Sequence, residues 1–218
     1  MTKPEDTTVE VCEVFRSLQG ETTWSGRPAT FIRLAGCNLR CRYCDSDYAR
    51  AAGEVRTVGD LLEGVDRFGE VVVVTGGEPL VQPGTRVLLE GLVRAGHAVM
   101  VETNGSLDIG GLPPEVVRVV DVKCPGSGES DKNLWANLER LRPTDEVKLV
   151  LTDRADFDFA VDVVNRHDLE ARCAVLLSPV VERLAPATLA EWILERGGSV
   201  RLQLQLHRIL WPDRDRGV

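Results

Sequence analysis

Apolar, β-branched runs recur along this chain of 218 residues, and they limit its possible folds more than any other feature. Several of them, such as the four consecutive valines at 71–74, are continuous, which is typical of strands buried on both faces of a parallel sheet. The predicted strands are 9–15, 29–34, 71–75, 98–102, 116–122, 146–151, 173–177 and 200–206. Predicted helices alternate with them at 57–67, 84–95, 133–141, 155–165 and 186–195. This alternation predicts an α/β fold.

The length of the chain limits the number of βα units. A closed barrel of eight units takes about 250 residues. Only five or six units fit here, after an N-terminal stretch of 50 residues without a clear helix. We therefore predict a partial, open (βα) barrel in a single domain, 1–218, in which 1–50 carry an N-terminal strand segment and a cysteine loop. Ligands in such folds bind at the carboxyl ends of the strands, so functional residues are expected just after each run.

The composition excludes several classes of protein. With 43% hydrophobic and 28% charged residues, the chain is typical of globular proteins. Its formal net charge of −8 argues against a nucleic-acid partner, because phosphate binding depends on clustered Lys and Arg. No apolar run approaches the roughly 20 residues that span a bilayer, and the N-terminus lacks the features of a signal peptide. We therefore expect a cytoplasmic protein with neither a membrane nor a nucleic-acid partner.

Three of the six cysteines, Cys37, Cys41 and Cys44, stand in one polar loop after the second strand. A structural zinc site needs four ligands, commonly as two pairs, and no second pair or nearby histidine follows. Three thiolates can instead hold an iron–sulfur cluster with one iron left open. Buried thiols or an incomplete zinc finger are the alternatives, although a loop that contains arginines gains little from core packing. The other cysteines, Cys12, Cys124 and Cys173, are predicted core thiols.

A second motif, Gly76-Gly77-Glu78, directly follows the valine run. Paired glycines let the backbone approach a ligand closely, and Glu78 can accept a hydrogen bond from an ammonium group. Taken alone, the segment could be an ordinary turn. Together with the Cys-x3-Cys-x2-Cys loop, it resembles the radical S-adenosylmethionine superfamily. That resemblance implies a 4Fe–4S cluster on the three cysteines and S-adenosylmethionine as a second cofactor.

Further blocks narrow the resemblance to one family. They lie at 15–21 (FRSLQGE), 31–41, 44–48, 102–105 (ETNG), 121–123, 177–180 and 201–208. From about residue 10 to 212 the chain is similar to the 7-carboxy-7-deazaguanine synthases of 7-deazapurine (queuosine) biosynthesis. The resemblance implies a lyase that converts 6-carboxy-5,6,7,8-tetrahydropterin to 7-carboxy-7-deazaguanine with loss of ammonia. It also implies Mg²⁺, an electron donor such as flavodoxin, and a homodimer.

The resemblance assigns roles to single positions. S-adenosylmethionine is expected to contact Tyr43, Cys44, Asp45, Gly76, Gly77, Glu78, Gly105, Asp121, Val122, Lys123 and Ser178. The pterin is expected to contact Leu18, Gln19, Gly20, Glu21, Arg33, Thr103, His207 and Pro212. The planar fork of Arg33 suits a substrate carboxylate, and the Glu21 carboxylate suits an amine-rich ring edge.

Two positions depart from the family pattern. Ser46, the expected Mg²⁺ ligand, stands where the family usually has threonine; serine keeps the oxygen and loses a methyl group. The segment 213–218 follows Pro212, near which some relatives end.

Two other functions stay open at this point. A glycyl-radical activating enzyme would share the cluster but act on a protein, and it has no need of the early block 17–21 (SLQGE). The other is a non-catalytic iron–sulfur or zinc-binding module, which would bind its metal without cleaving S-adenosylmethionine under reduction.

Overall fold

The computed structural model describes residues 3–65 and 71–218, and these form a nine-stranded sheet. Its strands are β1 (Thr8–Leu18), β2 (Pro28–Leu34), β3 (Glu54–Thr57), β4 (Val71–Gly76), β5 (Ala98–Thr103), β6 (Val117–Lys123), β7 (Glu146–Leu151), β8 (Ala174–Pro179) and β9 (Arg201–Leu202). The spatial order is β3-β1-β2-β4-β5-β6-β7-β8-β9. β1 is antiparallel to both of its neighbours, and the strands from β2 to β9 pair in parallel. The sheet stays open between β3 and β9, which confirms the predicted partial barrel.

Six α-helices accompany the sheet in the part of the chain that the structure describes. They are α1 (Val58–Val65), α2 (Thr85–Arg94), α3 (Arg154–Arg166), α4 (Leu169–Arg172), α5 (Pro186–Arg196) and α6 (Leu206–Leu210). The last two residues of the predicted helix 57–67 lie outside the described residues. Asp153 caps α3 by accepting a hydrogen bond from the Asp156 backbone, and α5 ends at Gly197, where φ is +70°. Among the described helices, none combines the length and apolar character needed to cross a membrane.

The predicted helix 133–141 is wrong. A 3-10 turn at Trp135–Arg140 takes the place of the helix, and another 3-10 turn precedes it at Ser130–Lys132. The asparagines of 133–141 bond to backbone outside that segment: Asn137 Nδ2 donates to the carbonyls of Gly105 (3.1 Å) and Leu107 (2.8 Å), and Asn133 Nδ2 donates to that of Lys123 (2.9 Å). Side-chain amides that bond to neighbouring loops compete with regular helix.

The predicted strand 200–206 is shortened to two residues, Arg201 and Leu202. Gln203 still donates its backbone N–H to the Leu177 carbonyl (2.8 Å), but the chain then turns away from the sheet. The Leu206 N–H donates to the Gly20 carbonyl (2.9 Å) at the start of α6. The last segment therefore covers the loop that follows β1. The short edge strand β3 and helix α4 were not predicted.

The core lies between the sheet and the helices. Val72 and Val74 of β4 pack in one buried cluster with the leucines of α2, and Val147, Leu149 and Leu151 of β7 pack in another with α3. Successive residues of a strand point to opposite faces. The intervening residues of β7, Glu146 and Lys148, therefore point to the concave face. There, apolar side chains fill the amino-terminal end and polar ones the carboxyl-terminal end.

Candidate functional site

A cavity of about 470 Å³ opens at the carboxyl ends of the parallel strands. The strands contribute charged side chains to it, among them Arg33 from β2, Glu102 from β5, Asp121 from β6 and Lys148 from β7. The loop after β1, the cysteine loop and the segment after β9 close its sides. Chemistry-bearing residues that are far apart in sequence thus meet at one edge of the sheet, as predicted for this fold class.

All three cysteines of the loop line this cavity as free thiols. Burial raises the pKa of Cys41; the nearby Lys123 lowers it, and the neighbouring thiols Cys44 and Cys37 raise it further. Cys37 Sγ also accepts hydrogen bonds from Leu39 N (3.4 Å) and Asn104 Nδ2 (3.8 Å). A group of thiols that shares one loop and one cavity fits an iron–sulfur cluster.

Gly76 and Gly77 bring the end of β4 against the cysteine loop. A Cβ at Gly76 would meet the Leu34 carbonyl, and one at Gly77 would meet the Gly36 carbonyl. Gly77 N donates to Leu34 O (3.1 Å), and Glu78 N donates to Gly36 O (2.8 Å). Both glycines also line the cavity. Because these glycines lack side chains, their backbone can approach the neighbouring carbonyls closely and also remains open to the cavity.

Glu78 itself is fully buried and lies apart from the cavity lining. Its carboxylate accepts hydrogen bonds from Leu80 N (2.9 Å), Thr103 Oγ1 (2.8 Å) and Asn104 N (2.6 Å). Burial raises its pKa, and these three bonds oppose the rise. The carboxylate therefore braces the ends of β4 and β5. The contact of Glu78 with a cofactor ammonium group stays a prediction. The contact of Thr103 with the substrate also stays a prediction; its hydroxyl donates to Glu78.

Most of the predicted pterin residues do meet in the cavity. Its lining includes Leu18, Gln19, Gly20, Glu21, Arg33, Thr103 and His207. Arg33 Nε donates to Glu13 Oε1 (2.8 Å), and its guanidinium lies 5.7 Å and 5.8 Å from the ring centres of Phe15 and Tyr48. Its position is therefore fixed by one ion pair and two cation–π contacts.

His207 lies against Gly20, where a Cβ would meet the imidazole Nδ1. Burial lowers the pKa of His207, and the nearby carboxylates Glu21 and Asp45 oppose that change. The ring is accordingly neutral at pH 7.

The predicted cofactor residues divide into two groups. The lining includes Tyr43, Cys44, Asp45, Gly76, Gly77, Asp121, Lys123 and Ser178. Gly105 and Val122 lie outside it. Val122 packs in the core under α3, because it alternates with Asp121 and Lys123 along β6. Gly105 has a φ of +75° and abuts the Asp121 carbonyl. Its glycine serves that close backbone approach.

Several cavity residues were missed by the sequence reasoning, chiefly Lys148 and Glu102. The Lys148 ammonium lies 2.5 Å from Glu21 Oε2 and 3.6 Å from Asp121 Oδ1. Burial lowers the pKa of Lys148, but the carboxylates of Asp121, Glu21 and Glu102 together raise it well above its ordinary value. The signal was present in the sequence: Glu146 and Lys148 interrupt an apolar strand two residues apart, which marks one face as polar.

Comparisons with known proteins identify the family. The model of the radical SAM superfamily matches residues 31–121. A 7-carboxy-7-deazaguanine synthase of Koribacter versatilis is 39% identical, over 96% of this chain and 100% of its own length. That of Chlorobaculum tepidum is 38% identical, over 96% of this chain and 97% of its own. The chain belongs to the 7-carboxy-7-deazaguanine synthase family.

A solved structure of similar fold agrees with this assignment. The crystal structure of QueE from Escherichia coli matches with a TM-score of 0.76 and 25% identity, over 92% of this chain and 95% of that one. As a member of the 7-carboxy-7-deazaguanine synthase family, the chain is a radical S-adenosylmethionine lyase, and its cofactors are a 4Fe–4S cluster and S-adenosylmethionine. Neither a glycyl-radical activating enzyme nor a non-catalytic metal module accounts for these matches.

Ser46, which departs from the pattern of the synthase family, lines the cavity, and its hydroxyl donates to Asp45 Oδ1 (3.0 Å). Within residues 3–65 and 71–218, no three Cys, His, Asp or Glu side chains are grouped to hold a metal ion. Magnesium commonly keeps several waters and takes one or two protein ligands together with substrate oxygens. The contact of Ser46 with Mg²⁺ stays a prediction.

Pro212 is not part of the cavity lining, whereas Arg214 and Asp215 are. The guanidinium of Arg216 lies 4.4 Å from the centre of the Tyr48 ring. The segment after Pro212 therefore contributes to the cavity lining, and the contact of Pro212 with the pterin stays a prediction.

Proposed function

We propose that this chain converts 6-carboxy-5,6,7,8-tetrahydropterin to 7-carboxy-7-deazaguanine with loss of ammonia, in 7-deazapurine (queuosine) biosynthesis. The observation that carries the proposal is the shared cavity. It joins the cysteine loop, the Gly76-Gly77 turn and the Leu18–Glu21 loop in one space. A radical reaction requires the cofactor and the substrate to meet in such a space, closed to competing reactants. Family membership supplies the substrate class.

The side chains of the cavity suit the two ends of this substrate. Arg33 is held at Nε by Glu13, so its two terminal nitrogens are left for the pterin carboxylate. Glu21 offers carboxylate oxygens to the ring amines. Neutral His207 can donate from one ring nitrogen and accept at the other. The chain thus binds an anionic group at β2 and hydrogen-bond donors near β7.

The cofactors would be held from the opposite side of the cavity. Cys37, Cys41 and Cys44 hold the cluster, which when bound supplies the electron that cleaves S-adenosylmethionine. The backbone of Gly76 and Gly77 and the charged groups of Asp121 and Lys123 bind and orient S-adenosylmethionine beside it. Ser46 contributes one oxygen to Mg²⁺, beside Asp45. Each of these roles is part of the proposal.

The proposal extends to the partners of the chain. An external donor such as flavodoxin reduces the cluster, and the solvent exposure of Cys44 supports access at that loop. A homodimer is supported by the open edges β3 and β9, since an unpaired edge can be covered by a second copy. The domain comprises 1–218, because every described strand belongs to the same sheet. All six cysteines are free thiols, which supports a reducing, cytoplasmic setting.

An anaerobic assay tests the reaction. The reconstituted protein is incubated with 6-carboxytetrahydropterin, S-adenosylmethionine, Mg²⁺ and a reductant, and 7-carboxy-7-deazaguanine and ammonia are quantified. We expect both products in equal amounts. Cleavage of S-adenosylmethionine without either product, in protein with an intact cluster, would show that the substrate is wrong. A protein that carries its cluster but yields neither product nor cleaved S-adenosylmethionine would contradict the radical chemistry as well.

A further inference from the structure

Lys148 occupies a central position in the cavity, between two carboxylates. It stands on the concave face of β7 with 13% of its side-chain surface exposed, and Glu21 and Asp121, which flank it, are 11% and 18% exposed. The ammonium lies 2.5 Å from Glu21 Oε2 and 3.6 Å from Asp121 Oδ1. It therefore connects the loop after β1, which faces the pterin, with β6, which faces S-adenosylmethionine.

The two carboxylates differ in their other partners. Asp121 Oδ2 accepts a charged hydrogen bond from Lys123 Nζ (2.6 Å), in addition to its ion pair with Lys148. Glu21 Oε1 accepts from Gln205 Nε2 (2.9 Å), a neutral amide that also donates to Asp45 Oδ2 (2.8 Å). Within the described residues, Lys148 is therefore the cation that Glu21 contacts, whereas Asp121 has two. Removal of Lys148 leaves Asp121 paired and Glu21 without a positive partner.

The surroundings of Lys148 favour its charged form. Burial lowers the pKa of Lys148, but the carboxylates of Asp121, Glu21 and Glu102 raise it well above its ordinary value. A general acid or base works best with a pKa near the working pH. The side chain thus acts as a fixed positive charge. Such a charge beside a largely buried carboxylate offsets the cost of removing that carboxylate from water.

We propose that Lys148 is a positioning residue that holds the Glu21 carboxylate in place, directed into the cavity as an acceptor for the pterin ring amines. The inference rests on the proposed function, because it takes the pterin as the ligand of Glu21. Its effect falls on the pterin and spares S-adenosylmethionine, since Asp121 retains Lys123. A charged hydrogen bond of this kind changes affinity roughly 10-fold to 100-fold.

A double-mutant cycle tests this role. Binding of 6-carboxytetrahydropterin to the cluster-loaded protein with S-adenosylmethionine and no reductant is measured by titration calorimetry. The proteins are wild type, Lys148→Met, Glu21→Gln and the double variant. Each single change is expected to weaken pterin binding roughly 10-fold or more. The double variant is expected to bind no more than about threefold less tightly than the single variant with the lower affinity. Losses that multiply would show that the two side chains act independently and would overturn the proposal.

Three controls separate the possible outcomes. Lys132→Met removes an exposed ion pair with Asp131 and should leave pterin affinity within about twofold of wild type. The affinity of Lys148→Met for S-adenosylmethionine should also be unchanged; a loss equal to that for the pterin would contradict the assigned role. If Lys148→Met does not fold, Lys148→Arg replaces it. Because arginine keeps the charge, this variant should bind pterin better than Glu21→Gln, and an equal or weaker affinity would overturn the proposal.

The proposed function and this inference fail in different ways. A wild-type protein that binds no pterin and forms no 7-carboxy-7-deazaguanine refutes the function. A wild type that binds and converts the pterin, together with a Lys148→Met variant that binds it equally well, refutes only the inference.

Discussion

The two faces of the sheet are built from the same strands but have different roles. On β7, Val147 and Leu149 point outward into a dry core beneath α3, while Glu146 and Lys148 point inward to ion pairs and hydrogen bonds. The outer face removes apolar surface from water, which stabilises the fold. The inner face keeps charges at low exposure, which costs stability but prepares a site for a polar ligand. Along β7, residues that stabilise the core therefore alternate with residues that face the site.

The largest difference is expected between two cysteine variants, one at a thiol that lines the cavity and one at a thiol in the outer core. Cys41→Ala should abolish assembly of the 4Fe–4S cluster and all cleavage of S-adenosylmethionine, because three thiolates are required. Cys124→Ala, at a buried core thiol directly after β6, should keep the cluster and lower the free energy of unfolding by about 1 kcal/mol. Iron and sulfide content, with urea unfolding, measures both. Equal iron in the two variants would show that the ligands are misassigned.

A core substitution should show the reverse pattern. Leu149→Ala on the outer face of β7 should cost about 2–5 kcal/mol of unfolding free energy, because Leu149 is fully buried. Val150→Ala, the next residue, lines the cavity and is the matched control, with an expected cost of about 1 kcal/mol or less. The comparison of faces fails if the two variants lose equal stability.

Arg33 gives a smaller effect, confined to the site. Arg33→Lys keeps the positive charge but loses the planar fork and the contacts of the guanidinium with the rings of Phe15 and Tyr48. We expect KM for the pterin to rise about 10-fold, with the midpoint of thermal unfolding nearly unchanged. Arg154→Lys, on an exposed pair with Asp158 outside the site, should leave KM unaltered. A wild-type KM for Arg33→Lys would remove this residue from substrate recognition.

The pH dependence of stability should differ in sign between the two layers. Burial raises the pKa of Glu102 on the inner face, so its contribution is present below pH 4.5 and is lost as pH rises. In the helical layer, a hydrogen bond from Arg196 lowers the pKa of Glu170 to about 2. Its contribution is present above pH 4.5 and is lost as pH falls toward 2.

Unfolding by urea between pH 3 and pH 7 distinguishes the two. Relative to wild type, Glu102→Gln should become more stable as pH rises, and Glu170→Gln should lose its deficit as pH falls. Parallel pH profiles for the two variants would contradict the assigned environments.

Much of the fold follows from the sequence because buried parallel strands are apolar throughout. The runs at 71–75 and 146–151 became β4 and β7 almost residue for residue. Elements decided by tertiary contacts were not predictable. Asn137 bonds to a distant loop and replaces a helix with 3-10 turns, and Leu206 leaves the sheet to bond to Gly20. Local pattern does not encode such partners.

The candidate site shows the same division. Motifs with fixed spacing, such as the cysteine loop and the Leu18–Glu21 block, lie in the cavity as expected. Lys148 was missed because it belongs to no motif, and its partners Glu21 and Asp121 lie 127 and 27 positions away. The internal position of Glu78 follows from its bonds to Thr103 and Asn104, which only the folded chain brings near.

In the proposed reaction, S-adenosylmethionine and the pterin lie side by side in one cavity, and deuterium transfer tests this arrangement directly. The pterin is deuterated at its ring carbons and incubated anaerobically with the reduced enzyme, S-adenosylmethionine and Mg²⁺. The account predicts deuterium in the adenosyl group, together with 7-carboxy-7-deazaguanine. Product without any deuterium in the adenosyl group, or cleaved cofactor with neither label nor product, would contradict it.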